Sequence, residues 1–127
     1  MELLHIAITC SSEEKADRFY ADLLGFKKLE PELLPNEISS AIFGIDAAVK
    51  KIYYVGESVK IEIFVYNGNH ESRTLFDHVC FEVESLEKFL QKCRRNNIDI
   101  IQVPKEDYLV TFIRDFNGNM FEIKGKS

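Results

Sequence analysis

The sequence predicts an α+β fold built from one strand–helix–strands unit used twice. Three observations carry that expectation. The two halves open on similar β-rich runs, Leu4-His5-Ile6-Ala7-Ile8-Thr9 and Asp77-His78-Val79-Cys80-Phe81-Glu82-Val83. Laid over each other from His5 and His78, they keep a common frame: Ser12 matches Ser85, Glu14 matches Glu87 and Lys15 matches Lys88. Each half also closes on a similar triplet, Ile61-Glu62-Ile63 and Phe121-Glu122-Ile123.

The elements follow in order. After the first strand, Ser11 and Ser12 with Glu14 give an N-cap signal and a capping-box acid. Ala16, Phe19, Tyr20, Leu23 and Leu24 recur at helical spacing, and Gly25 supplies the stop. Residues 27–29 read as a short strand, and residues 36–43, between Pro35 and Gly44, as a short helix. Residues 52–55 and 59–66 form a hairpin around Gly56-Glu57-Ser58. In the second half Ser85 precedes Leu86, Phe89, Leu90 and Cys93 at helical spacing, and this helix ends at Asn96-Asn97. Residues 109–114 and 120–124 flank Asn117-Gly118-Asn119, a hairpin-turn signal.

At 127 residues the chain fits one domain, and no linker or low-complexity stretch divides it. The halves are its modules, about 1–67 and 76–125. A chain of this size with 46% hydrophobic residues can build its own core. The net charge of −5 leaves no concentrated basic face, which argues against nucleic acid or an anionic membrane as partner. Lys92, Arg94 and Arg95 form the one tight basic cluster, at a helix end where cations favour the dipole. No apolar run approaches the ~18 residues of a membrane span. The three cysteines, Cys10, Cys80 and Cys93, show no paired spacing, and no signal peptide precedes them. A reducing, cytoplasmic setting is expected.

His5, Glu62, His78 and Glu122 carry the chemistry. Each is expected mid-strand, where a half-buried sheet favours apolar or β-branched residues. A carboxylate between two apolar neighbours either points at solvent or is compensated by a partner. A single strand histidine is more often a hydrogen-bonded structural residue, and a single strand glutamate more often faces water. Repetition changes the balance. A histidine on the opening strand and a glutamate on the closing strand of both halves would converge if the halves pack about a pseudo-twofold. Two imidazoles and two carboxylates suit zinc, nickel, cobalt or manganese.

The chain resembles the glyoxalase / vicinal oxygen chelate superfamily over essentially its whole length. Leu4-His5-Ile6-Ala7, the segment from Ala16-Asp17-Arg18-Phe19-Tyr20 to Leu24-Gly25-Phe26, and Lys60-Ile61-Glu62-Ile63 carry the likeness in the first half. Phe76-Asp77-His78-Val79 and Asp115-Phe116-Asn117-Gly118-Asn119-Met120-Phe121-Glu122-Ile123 carry it in the second. The resemblance implies paired βαβββ modules forming a barrel-like cleft, assembled as a homodimer. Carried over position by position, it implies His5, Glu62, His78 and Glu122 as ligands of one divalent metal per chain.

That ligand set looks most like the glyoxalase I branch. It implies a metal-dependent lyase or isomerase that stabilises an enediolate from a small oxygenated carbonyl substrate, with Glu122 first and Glu62 second as base. Thr9 stands where bacterial glyoxalase I has an arginine for glutathione, and Asn67 falls one position late for the family's asparagine. Glutathione is therefore not the expected carrier. The alternatives are an epimerase of acyl-CoA thioesters resembling methylmalonyl-CoA epimerase, an epoxide-opening enzyme, and a non-enzymatic small-molecule-binding or resistance protein. The epimerases tend to have Gln where this chain has Glu62, and the metal-free drug-sequestering relatives do not need all four groups. Phe64, Tyr66 and Cys80 are candidate walls of a substrate pocket, with core packing the competing role. His70 is expected in a solvated loop.

Overall fold

The structure is a computed structural model that describes residues 2–68 and 76–126. The chain divides into two compact units, Met1–His70 and Glu71–Ser127. The expected module limits near 67 and 76 fall on either side of that division. His70 and its loop placement lie outside the described residues.

The first unit runs β1 (Ile6–Cys10), α1 (Glu13–Ala16), a π-helix (Asp17–Leu23), β2 (Lys27–Lys28), β3 (Glu32–Leu34), α2 (Asn36–Phe43), β4 (Val49–Val55) and β5 (Lys60–Val65). Its sheet has the order β1-β5-β4-β2, and β3 pairs with the other end of β4. The second unit runs β6 (Val79–Val83), α3 (Leu86–Arg95), β7 (Ile100–Lys105), β8 (Tyr108–Arg114) and β9 (Met120–Gly125), in the order β6-β9-β8-β7. In both units the opening strand lies parallel to the closing one, and the other pairings are antiparallel. One topology is used twice.

Both helices start the same way. The Ser12 hydroxyl accepts from the Lys15 amide, and Ser85 accepts from Lys88. Because Ser12 is the cap, its third helical residue is Lys15, so Glu14 does not close the expected capping box. Beyond Ala16 the first helix widens into the π-form and buries Phe19, Tyr20 and Leu23. It ends at Gly25, whose φ of 75° suits a residue without Cβ.

The packing fixes which sheet face meets the helix. In the first unit Ile52, Tyr54, Ile61 and Ile63 are fully buried, and the Tyr54 hydroxyl donates to Asp17 on the helix at 2.7 Å. In the second, Ile113, Phe121 and Ile123 are buried, with Phe81 stacked on Phe121 at 5.4 Å. Alternation along the strands then sends Glu62 and Glu122 to the face opposite the helix.

Two strands were not among the expected elements, β3 and β7. Each carries poor strand chemistry. β3 is three residues long and starts just after Pro31, and β7 contains Pro104, tolerated because β7 is an edge strand. The histidines also sit differently from expectation. β1 opens at Ile6 and β6 at Val79, so His5 and His78 each precede a strand by one residue. In the first unit the ladder with β5 starts at the Ile6–Ile61 pair, so His5 lies just outside it.

Candidate metal centre

The structure brings the four candidates together as two pairs, one in each unit. His5 Nε2 stands 3.5 Å from Glu62 Oε1, and His78 Nε2 stands 3.6 Å from Glu122 Oε1. Both imidazoles are about one-third exposed, whereas Glu62 is buried and Glu122 is partly so. The second carboxylate oxygen of each glutamate faces a lysine, Lys51 at 3.8 Å and Lys124 at 4.0 Å. Among the described residues no three His, Cys, Asp or Glu side chains are gathered at metal-binding spacing.

The equality of the two separations is informative. A charge-assisted hydrogen bond between imidazolium and carboxylate is about 2.7–2.9 Å long, so 3.5 and 3.6 Å are too long for one. Two donors each about 2.0–2.2 Å from one cation at a tetrahedral angle stand about 3.3–3.6 Å apart. The donor spacing therefore fits metal ligation. His78 adds a second sign: its Nδ1 lies 2.9 Å from the Phe76 carbonyl oxygen. A proton on Nδ1 donated to that oxygen leaves the Nε2 lone pair turned toward Glu122, the arrangement a ligating histidine uses.

Glu62 has the more elaborate surroundings. Tyr53 stands directly across the ladder from it. Interaction with the neighbouring Glu62 carboxylate, then burial and the charge of Glu32, pushes the Tyr53 pKa up to about 12. Lys60 Nζ sits 4.1 Å from the Tyr53 ring centroid. Sequence reasoning missed Tyr53, although counting back from the Gly56–Ser58 turn along both strands sets Tyr53 opposite Glu62.

The pocket candidates fall in different places. Cys80 is in register with Glu122 and exposed; burial of its sulfur, then the charge of Glu122, raises its pKa, so the thiol is the stable form. Phe64 meets Phe43 of α2 edge-on at 5.3 Å, on the strand face that carries Glu62. Tyr66 follows the end of β5 with its ring folded over Gly68, where an added Cβ would overlap it. The motif residues Asp115 and Asn119 are structural. Asp115 accepts from the Asn117 and Asn119 amides and from the Asn119 side chain, which shapes the turn before β9.

The model of the Glyoxalase/Bleomycin resistance protein/Dioxygenase superfamily matches residues 2–123. The chain belongs to that superfamily. Solved structures share its fold. A glyoxalase family protein from Enterococcus faecalis is 22% identical with a TM-score of 0.73, covering 96% of this chain and 95% of its own. The fosfomycin resistance protein FosX from Listeria monocytogenes is 13% identical with a TM-score of 0.74, covering 100% and 94%. A variant of that FosX, solved with Mn(II) and 1S,2S-dihydroxypropylphosphonic acid, is 14% identical with a TM-score of 0.72, covering 98% and 90%. No curated protein matches the chain by sequence. Among the described residues no helix is long and apolar enough to cross a membrane.

Proposed function

We propose that the chain is a metal-dependent lyase or isomerase acting on a small oxygenated carbonyl compound, with His5, Glu62, His78 and Glu122 as ligands of one divalent metal. The observation that carries the proposal is the repeated His–Glu spacing of 3.5 and 3.6 Å, one pair in each unit. The Mn(II) in a FosX neighbour supports a divalent ion, and zinc, nickel and cobalt suit the same donors. Bound there, the cation would supply Lewis-acid stabilisation to two neighbouring substrate oxygens.

The protein's own groups do the rest. Glu122, the more exposed carboxylate, takes the proton from the carbon beside the carbonyl and returns it. His5, His78 and Glu62 keep their places while it moves. Phe64 offers an apolar wall beside Glu62. With Thr9 in place of a glutathione-binding arginine, the substrate is carried by something other than glutathione.

Opening of an epoxide by an added nucleophile is a second reading, favoured by the FosX neighbours. It uses the same four residues. We also propose that the protein works as a homodimer, since open sheet edges need covering, and in the cytoplasm, since its three cysteines show no paired spacing. Metal analysis of freshly purified protein, followed by turnover assays with 2-oxoaldehyde–thiol adducts, acyl-CoA epimers and epoxides, tests these readings. Metal near one equivalent and turnover of a carbonyl substrate are expected. Metal-dependent turnover of epoxides alone would select the second reading. Tight binding without turnover, and without metal, would make it a sequestering protein.

A further inference from the structure

The helix α2 has no counterpart at the matching place of the second unit, where the short turn at Glu106 and Asp107 joins β7 to β8. Its own packing is thin. Ser39 is the one buried residue among its eight, and Ile38, Ile42 and Phe43 are all exposed. Ser39 and Phe43 stand one turn apart on the stripe that faces the sheet, where the Phe43 ring meets Phe64 of β5 edge-on at 5.3 Å. Ile38 and Ile42 form the neighbouring stripe, turned outward. The Ser39 hydroxyl is buried with no hydrogen-bond partner among the described residues, which disfavours the packing that hides it. A side-chain bond of 2.8 Å between Asn36 and Asp46 ties the two ends of the segment together. A helix held by so few buried apolar contacts shifts readily.

The sheet face beneath α2 is the face of Glu62. Phe64 follows Glu62 by two residues, so both side chains leave β5 on the same side, about 7 Å apart along the strand. Across the ladder Phe64 is flanked by Thr9 and Lys51. The Lys51 ammonium is already faced by Glu32 at 3.6 Å and Glu62 at 3.8 Å, so an anionic carrier would compete with two carboxylates there. We infer that Phe43 is a specificity-determining residue: with Phe64 it clamps a hydrocarbon or aryl substituent of the substrate, whose neighbouring oxygens lie at Glu62. The Phe43 residue is 54% exposed, so its ring keeps free surface for a flat apolar group to cover. Covering it takes apolar surface of both partners out of water. The inference rests on the reading of Glu62 as part of the metal site and adds the substrate's class, a compact compound that is apolar next to its oxygens.

Acetohydroxamate and benzohydroxamate are the probes. Both present two neighbouring oxygens, and they differ by a methyl against a phenyl group. Calorimetric titration of zinc-loaded wild type, Phe43→Ala and Ile42→Ala reads the affinities, and light scattering on the same samples reads the oligomeric state. Wild type should bind benzohydroxamate about tenfold more tightly than acetohydroxamate, from the extra apolar area buried. Phe43→Ala should lose most of that preference; the residue is exposed, so its truncation spares the core. Ile42→Ala, on the outward stripe of the same helix, should keep it. Equal affinities in wild type, or a preference that survives Phe43→Ala, would overturn the inference while leaving the metal reading intact. A dimer that becomes a monomer in Phe43→Ala with the preference unchanged would overturn it too, by giving this face to a second copy of the chain. Wild-type protein that takes up no zinc or other divalent ion would overturn both readings.

Discussion

The first and second units share one topology and one His–Glu pair each, yet they are braced differently. In the first, Lys28 and Lys50 clamp Glu13, Lys28 also reaches Asp17, and the buried Tyr54 hydroxyl ties Asp17 to the sheet. An added helix, α2, joins β3 to β4. In the second, β7 and β8 are joined by the short turn at Glu106 and Asp107, and the bracing sits in the Asp115–Asn119 turn instead. Both arrangements leave the histidine-to-glutamate separation nearly unchanged, 3.5 against 3.6 Å. The repeat preserves the donor frame and varies its supports. Chemical differences between the halves should therefore come from the groups around each glutamate.

The largest expected effect tests that difference. Glu122→Gln should keep metal while kcat falls by about 10²–10⁴, the cost of losing a general base. Glu62→Gln should act mainly through metal affinity, so its activity recovers at saturating metal. Measuring kcat and bound metal on the same preparations compares them. Equal kcat losses per bound metal would erase the asymmetry.

Core truncation comes next and should not discriminate. Ile63→Ala and Ile123→Ala remove equally buried side chains beside the two glutamates, and each should cost about 2–5 kcal/mol in urea denaturation. A large gap between them would show that one unit is the weaker. The turns, by contrast, should differ. Asp115→Ala strips three hydrogen bonds from the second unit's turn and should cost about 1.5–3 kcal/mol. Glu57→Ala, on the exposed turn of the first, should stay within about 0.5 kcal/mol.

The smallest effect depends on pH. Lys28 and Lys50 hold the Glu13 carboxyl below its ordinary 4.5, so this contribution is full above that value and fades as pH falls through the folded value. Glu13→Gln should lower stability at neutral pH by about 0.2–1 kcal/mol, as for other solvent-accessible pairs. The variant should also lose less stability than wild type on acidification. Melting curves across the acid range check the sign.

The sequence made much of this fold legible through repetition. The frame linking His5 to His78 and Ser12 to Ser85 is visible because each of these residues has a fixed partner, a glutamate for the histidines and a helix amide for the serines. The helix at 36–43 was marked by its flanking Pro35 and Gly44, and Gly44 takes the left-handed conformation expected of a helix stop. β7 was hidden because Pro104 contradicts an interior strand, and the π-form of residues 17–23 because its buried residues also fit α-helical spacing. The candidate donors were legible, whereas Tyr53 was not. Its place opposite Glu62 depends on cross-strand register, which composition and periodicity do not reveal.

The central claim is that two His–Glu pairs together hold one metal. Metal stoichiometry in wild type, His5→Ala and His78→Ala, measured by elemental analysis against protein concentration, tests it most directly. The account predicts about one divalent ion per chain in wild type and loss of most of it in each variant, since both units contribute donors. Full occupancy in both variants, or two ions per chain of which each variant loses one, would contradict it.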